Sequence, residues 1–167
     1  MNMNNVLPNV TDELDEAALA SCQALLEGKE TMAEMAGFSE TEVEEIYALG
    51  YDAWQQGKLD EAAEMFSFAA LLQPLDPRFT FAFGCAIQQR GDHLQALALF
   101  THAVQIKPTN PFISFHMAEC LLALQERDAA TDALQTVIEL CYAQVNDDPR
   151  YQPLREQAEV ILANIND

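Results

Sequence analysis

The chain has 167 residues, half of them apolar, and sets 27 acidic against 8 basic side chains, a formal charge of −19. That length suits one domain with a buried core, and the excess of acid argues against nucleic acid or anionic lipid as a partner. The same charge favours solubility, which suits a protein that holds a sticky partner. No apolar run approaches the ~18 residues of a membrane-spanning helix, so no stable membrane association is expected. The opening MNMNNVLPNVTDELDE has neither a basic start nor an apolar centre, and does not read as a secretion signal. Cys22, Cys85, Cys120 and Cys141 are far apart and form no CxxC. They read as free, mostly buried thiols of a reducing cytoplasm, with no disulfide, metal or other cofactor implied.

Residues 1–10 are Asn-rich, broken by Pro8, and expected to be disordered. Thr11, followed by Asp12 and Glu13, is a helix start: a hydroxyl cap with acids at the positive end of the dipole. Leu14, Ala18, Cys22, Leu25 and Leu26 then recur at three- and four-residue steps and make one apolar face. A short helical piece, Thr31–Ala36, ends at Gly37. Residues 11–37 therefore read as an N-terminal helical region. Ser39 and Glu42 form a capping box that opens the next helix.

From there the chain repeats itself. GYDAWQQGKLDEAAEMFSFAALLQP, Gly50–Pro74, returns 34 residues later as GCAIQQRGDHLQALALFTHAVQIKP, Gly84–Pro108. Gly50, Gly57, Ala62, Phe66, Ala69 and Pro74 are matched by Gly84, Gly91, Ala96, Phe100, Ala103 and Pro108. A period of about 34 residues with small, aromatic and proline landmarks is the signature of the tetratricopeptide repeat (TPR). The pattern predicts helix pairs near 40–56 and 59–72, 77–90 and 93–106, and 111–124 and 127–141, in a frame of 43–76, 77–110 and 111–144. The third unit is weaker: glycine has become Ala118, phenylalanine Leu134 and the turn glycine Gln125. After a loop at Asn146-Asp147-Asp148-Pro149, Leu154, Ala158, Ile161, Leu162 and Ile165 give a last amphipathic helix that covers the open end of the stack. The expected fold is all-α. Three TPR hairpins over 38–142 form a curved solenoid, with the N-terminal region before it and a loop and capping helix over 145–167.

Small residues at Gly50, Gly84 and Ala118, and at Ala62, Ala96 and Ala130, let paired helices approach closely, while Phe66, Phe100 and Leu134 fill the space towards the next unit. The inward positions of the first helices are then Glu44, Tyr47, Tyr51, Trp54 and Gln55; Arg78, Phe81, Cys85, Gln88 and Gln89; and Phe112, Phe115, Glu119, Leu122 and Ala123. Tyr47, Tyr51, Trp54, Gln55, Arg78, Phe81, Gln88, Phe112, Phe115 and Glu119 are the candidate groove residues. Rings take apolar side chains while phenol and amide groups hold a peptide backbone. For Trp54 and Phe81, packing between helices is the competing reading. The first helices carry Arg78, Arg90 at one helix end, and no lysine. They lack a cationic clamp for an acidic tail, so an extended apolar or proline-containing segment fits better.

Nothing in the chain reads as an enzyme. His93, His102 and His116 are far apart in the repeat frame, and His116, facing the groove or the seam between units, reads as a satisfied structural histidine. HMAEC is not a HExxH metal motif, and GxSxG, phosphate-loop and Rossmann patterns are absent.

GKETMAEMAGFSETEVEEIYALGYDAWQQGKLDEAAEMF, LDPRFTFAFGCAIQQRGDHLQAL and FISFHMAECLLAL together resemble the class II chaperones of bacterial type III secretion systems, over about residues 12–142. The resemblance implies a cytoplasmic TPR chaperone that holds hydrophobic translocator proteins by a short Pro-x-Leu-x-x-Pro segment in its concave groove, soluble and export-competent. Its family's aromatic positions correspond to Tyr47, Tyr51 and Trp54. It further implies a homodimer through the N-terminal region, where the face of Leu14, Ala18, Cys22 and Leu25 suits either dimerisation or packing on the first repeat, and in some relatives a transcriptional activator as a second partner. Relatives often carry alanine at the place of Gly50, a difference expected to be harmless. The alternative is a general TPR scaffold with no secretion role.

Overall fold

The computed structural model of the protein describes residues 18–21, 23–25, 27, 30–144 and 148–166. Leu14 and Cys22 of the N-terminal face lie outside that set, as do the 1–10 segment and the Asn146-Asp147 part of the predicted loop. Residues 18–21 and 23–25 are helical. Eight helices follow: α1 (Met32–Met35), α2 (Glu40–Gln55), α3 (Leu59–Leu72), α4 (Pro77–Gln89), α5 (His93–Ile106), α6 (Pro111–Ala123), α7 (Arg127–Ala143) and α8 (Tyr151–Asn166). No strand occurs among the described residues. From α2 to α8 consecutive helices pack on one another, which is the stacking of a TPR solenoid.

Local chemistry sets the helix starts. Thr31 and Ser39 accept from Glu34 N–H and Glu42 N–H, and the two glutamates accept in return from the cap N–H groups at 2.7 and 2.8 Å. Asp76 and Asn110 cap α4 and α6, with Pro77 and Pro111 in the first turn, where a missing N–H is harmless. The same device precedes α8: Asp148 Oδ1 accepts from Arg150 N–H at 2.9 Å across Pro149. The hairpin turns need a left-handed residue. Gly57 and Gly91 supply it at φ 75° and 88°, and Gln125 takes the third turn at φ 66°. A side chain there costs about 1 kcal/mol that glycine avoids.

The core runs along the stack. Phe66, Phe79, Phe100, Ile113 and Leu134 are fully buried. A Cβ on Gly50 would lie 2.6 Å from Phe66 Cε1, and a Cβ on Gly84 2.6 Å from Phe100 Cε1. Alanine at position 50 is therefore not harmless in this chain: the methyl group overlaps the phenyl ring unless one of them shifts. In the third unit the methyl is present, as Ala118, and the ring is gone, as Leu134; both are fully buried. Cys85, Cys120 and Cys141 are free thiols inside this core.

Candidate functional site

The first helices α2, α4 and α6, with the starts of α6 and α8, surround a cavity of about 430 Å³. Tyr47, Tyr51 and Trp54 form one wall from α2; Arg78, Phe81, Gln88 and Gln89 come from α4; Phe112 and His116 come from α6. Lys107, Asn110 and Arg150 close its edge from outside the first-helix stripes.

The aromatic wall is interlocked. Tyr47 meets Tyr51 edge-on with centroids 5.0 Å apart, and its hydroxyl donates to Tyr51 Oη at 3.3 Å. Tyr51 stacks on Trp54 at 5.8 Å. Tyr47 also rests on Phe66 and Phe79, with centroids 5.6 and 4.9 Å away. Burial, with the Tyr51 hydroxyl beside it, pushes its phenol well above the usual range, so it stays a neutral donor. Trp54 Nε1 donates to Gln89 Oε1 at 2.6 Å and ties α2 to α4, while its ring meets Phe66 edge-on. Trp54 thus lines the cavity and packs between helices at once. Phe81 does the same, facing the cavity while touching Phe100 at 5.8 Å.

Arg78 is the other link between these helices. Its Nη2 reaches Glu44 Oε1 on α2 at 2.6 Å and Asp76 Oδ2 at 2.7 Å, and its guanidinium stands 5.0 Å from the Phe79 centroid. Hydrogen bonds that it donates to the carboxylates of Asp76 and Glu44 push its pKa still higher, and the group is charged under all ordinary conditions. Arg150 repeats the arrangement on Asp148, 4.9 Å over the Phe112 ring. Arg78, Lys107 and Arg150 bring three of the chain's 8 basic side chains to this cavity. Two of the three already carry a carboxylate, so the rim is not a cationic clamp.

Gln88, His116 and Glu119 make a polar floor. Gln88 Nε2 donates to Glu119 Oε2 at 3.0 Å, and His116 Nδ1 lies 2.8 Å from Gln88 Oε1 and 3.2 Å from Glu119 Oε2. Burial would raise the Glu119 carboxyl, but hydrogen bonds from His116 and Gln88 outweigh it and hold the group below its ordinary value.

Tyr47, Tyr51, Trp54, Arg78, Phe81, Gln88 and Phe112 are brought together as cavity lining. Three candidates are placed differently. Phe115 is 5% exposed and packs with Ala118, Leu134 and Val137, because α8 covers that face of α6 with Leu154 and Ala158. Gln55 ends α2 in solvent. Glu119 supports the floor through its bonds to Gln88 and His116. Ala18 is exposed and Leu25 half-buried. Leu25 borders a second hollow of about 730 Å³ between Glu30–Glu34, Phe38 and the Gln73–Arg78 turn. That hollow is larger but lacks the converging rings of the first. Lys107, Asn110, Arg150 and His116 were not among the candidates. The loop residues have no place in a first-helix frame, but His116 had a signal: Ala82, its counterpart one repeat earlier, lines the cavity too.

Among the described residues, no helix is long and apolar enough to cross a membrane, and no group of three or more His, Cys, Asp or Glu side chains is placed to hold a metal. His93 and His102 stand on α5 and His116 on α6.

Tetratricopeptide-repeat family models match residues 47–111 and 88–158. The chain is 28% identical over 155 residues to low calcium response locus protein H of Yersinia pseudotuberculosis, spanning 93% of this chain and 89% of that protein. A type III secretion complex from Aeromonas hydrophila contains a chain that superposes with a TM-score of 0.80 at 26% identity, over 88% of this chain and 95% of the other. PcrH, known from Pseudomonas aeruginosa and solved in complex with the chaperone binding region of PopD, superposes with a TM-score of 0.72 at 30% identity, over 78% of this chain and 95% of its own. Repeat landmarks, solenoid and relatives agree, and the chain belongs to the TPR-type translocator chaperones of type III secretion systems, the class II chaperones.

Proposed function

We propose that the protein is a non-enzymatic chaperone of the bacterial cytoplasm that holds a hydrophobic type III translocator by a short extended segment laid along the Tyr51, Phe81 and Phe112 groove. The observation that carries this reading is the cavity itself. Its open rings, interleaved with amide and imidazole groups, sit on the scaffold that in PcrH accompanies a translocator's chaperone-binding region. Rings desolvate the apolar side chains of the client, and polar groups between them accept its backbone. Residues 11–37, through the face that includes Ala18 and Leu25, serve a homodimer, and a transcriptional activator is a second partner in the client-free state.

The test is co-expression with the translocator, followed by Tyr51→Ala. The chaperone keeps the translocator soluble in a defined complex. Tyr51 is 37% exposed, so its loss spares the fold, and it weakens the complex by about 2 kcal/mol, as a hot-spot aromatic does. A translocator that remains insoluble, or a complex indifferent to Tyr51→Ala, overturns the reading. Tyr47 is the poorer probe, since it also packs on Phe66 and Phe79.

A further inference from the structure

His116 stands on the groove floor with one ring nitrogen engaged and the other open. Nδ1 faces Gln88 Oε1 at 2.8 Å and Glu119 Oε2 at 3.2 Å. The orientation of the Gln88 amide follows from its other end, which lies 3.0 Å from the same carboxylate oxygen and must therefore be the NH₂ donor. A flipped amide would set its oxygen against the carboxylate. Nδ1 thus meets two acceptors and has to carry the proton. In the neutral ring, Nε2 is then left with a lone pair.

That lone pair is free. No described residue bonds Nε2, it is not among the enclosed unpartnered polar atoms, and His116 lines the cavity. The ring cannot swivel easily. Phe100 stacks on it at 5.5 Å and 25°, Phe81 meets it edge-on at 5.4 Å, and Phe115 stands at 6.2 Å. The other side-chain acceptors named in the wall each already take one bond, Gln89 Oε1 from Trp54, Gln88 Oε1 from His116, Asn110 Oδ1 from Phe112 N–H and Tyr51 Oη from Tyr47, while Tyr47 Oη donates to Tyr51 and keeps its own acceptor capacity. Arg78, Lys107 and Arg150 only donate. An extended segment buried in this cavity must satisfy its main-chain N–H groups as well as its carbonyls.

We infer that His116 is a specificity-determining residue of the groove: its Nε2 accepts a hydrogen bond from one main-chain N–H of the bound segment and so sets the segment's register. Proline, having no N–H, is excluded from that one position, so the prolines of a client must fall elsewhere along the groove. The inference rests on the groove being the client site, and its test separates the two.

The probes are synthetic peptides that span the chaperone-binding segment of the translocator partner, one unmodified and the others N-methylated at a single interior bond. Each is titrated calorimetrically into the wild-type protein and into His116→Phe, with melting curves to establish folding. Failure of the unmodified peptide to bind the wild-type protein counts against the client site itself. Given binding, one N-methylation lowers wild-type affinity at least about tenfold, the scale of one buried hydrogen bond. His116→Phe lowers affinity for the unmodified peptide by about the same factor and is indifferent to that one methyl group. A scan in which every methyl group has the same effect on both proteins overturns the inference. If His116→Phe does not fold, ¹⁵N spectra of the wild-type imidazole decide. An unprotonated Nε2 whose resonance shifts on peptide binding supports the inference, and a protonated Nε2, or one unmoved by peptide, refutes it.

Discussion

A methyl group placed on Gly84 would stand 2.6 Å from Phe100 Cε1, and Gly50 and Phe66 are related in the same way. The third unit shows the other solution, with Ala118 against Leu134. Residue volume is traded across one helix pair: no side chain with a ring, or a methyl with a smaller partner.

Gly84→Ala therefore destabilises the protein. Overpacking costs about 1–3 kcal/mol, and alanine's better helix propensity returns up to about 1 kcal/mol of it. Phe100→Leu alone leaves a gap and is also destabilising. The double variant reproduces the third unit, so its loss is smaller than the sum of the two. A coupling of about 1 kcal/mol or more in urea titrations is the expected outcome. Strict additivity would mean that the ring yields freely to the methyl group.

Acid weakens the polar floor. The folded-state pKa of Glu119 is depressed, so its contribution is present above the ordinary value of 4.5 and is lost as pH falls through the lower folded value. Glu42 and Asp148, held down by Ser39 and Arg150, act in the same direction. The informative quantity is therefore the stability difference between wild type and Glu119→Gln. It is expected to shrink as pH falls below 4.5. A difference that does not change with pH would remove Glu119 from the account.

The buried thiols are protected by their surroundings. Burial, with the charge of Glu119 nearby, pushes Cys85 up to about 12 and Cys120 up to about 11. Burial also raises Cys141, against the pull of Arg155. At pH 8 Cys85 and Cys120 are therefore held as thiols, not thiolates. N-Ethylmaleimide labels these three sites slowly in the native protein and fully in denaturant, as peptide mass spectrometry would register. Rapid native labelling of Cys85, which borders the cavity, would mean that its thiol is reached through the groove.

The solenoid was legible because its landmarks recur. The second helix of the first pair, expected over 59–72, is Leu59–Leu72, and Thr31 and Ser39 cap the helices they announce. The groove was legible only as far as one helix at a time specifies it. A position frame puts Phe115 inward, but α8 arrives from another part of the chain and covers it. The frame had no place for Lys107 or Arg150, which reach the cavity from between the units. The bonds that orient His116 and Glu119 come from Gln88, 28 and 31 residues earlier, so no local spacing could announce them.

The Asp148-Pro149 start gives α8 a double allegiance. Its buried side, Leu154 and Ala158, shields Phe115, while the turn just before it carries Arg150 over Phe112 into the mouth of the groove. Shortening the protein before Asp148 would strip a seal and a rim in one cut. A loss of client binding in such a truncation would then measure an unsealed core as much as a missing contact, and only a substitution confined to Arg150 separates the two.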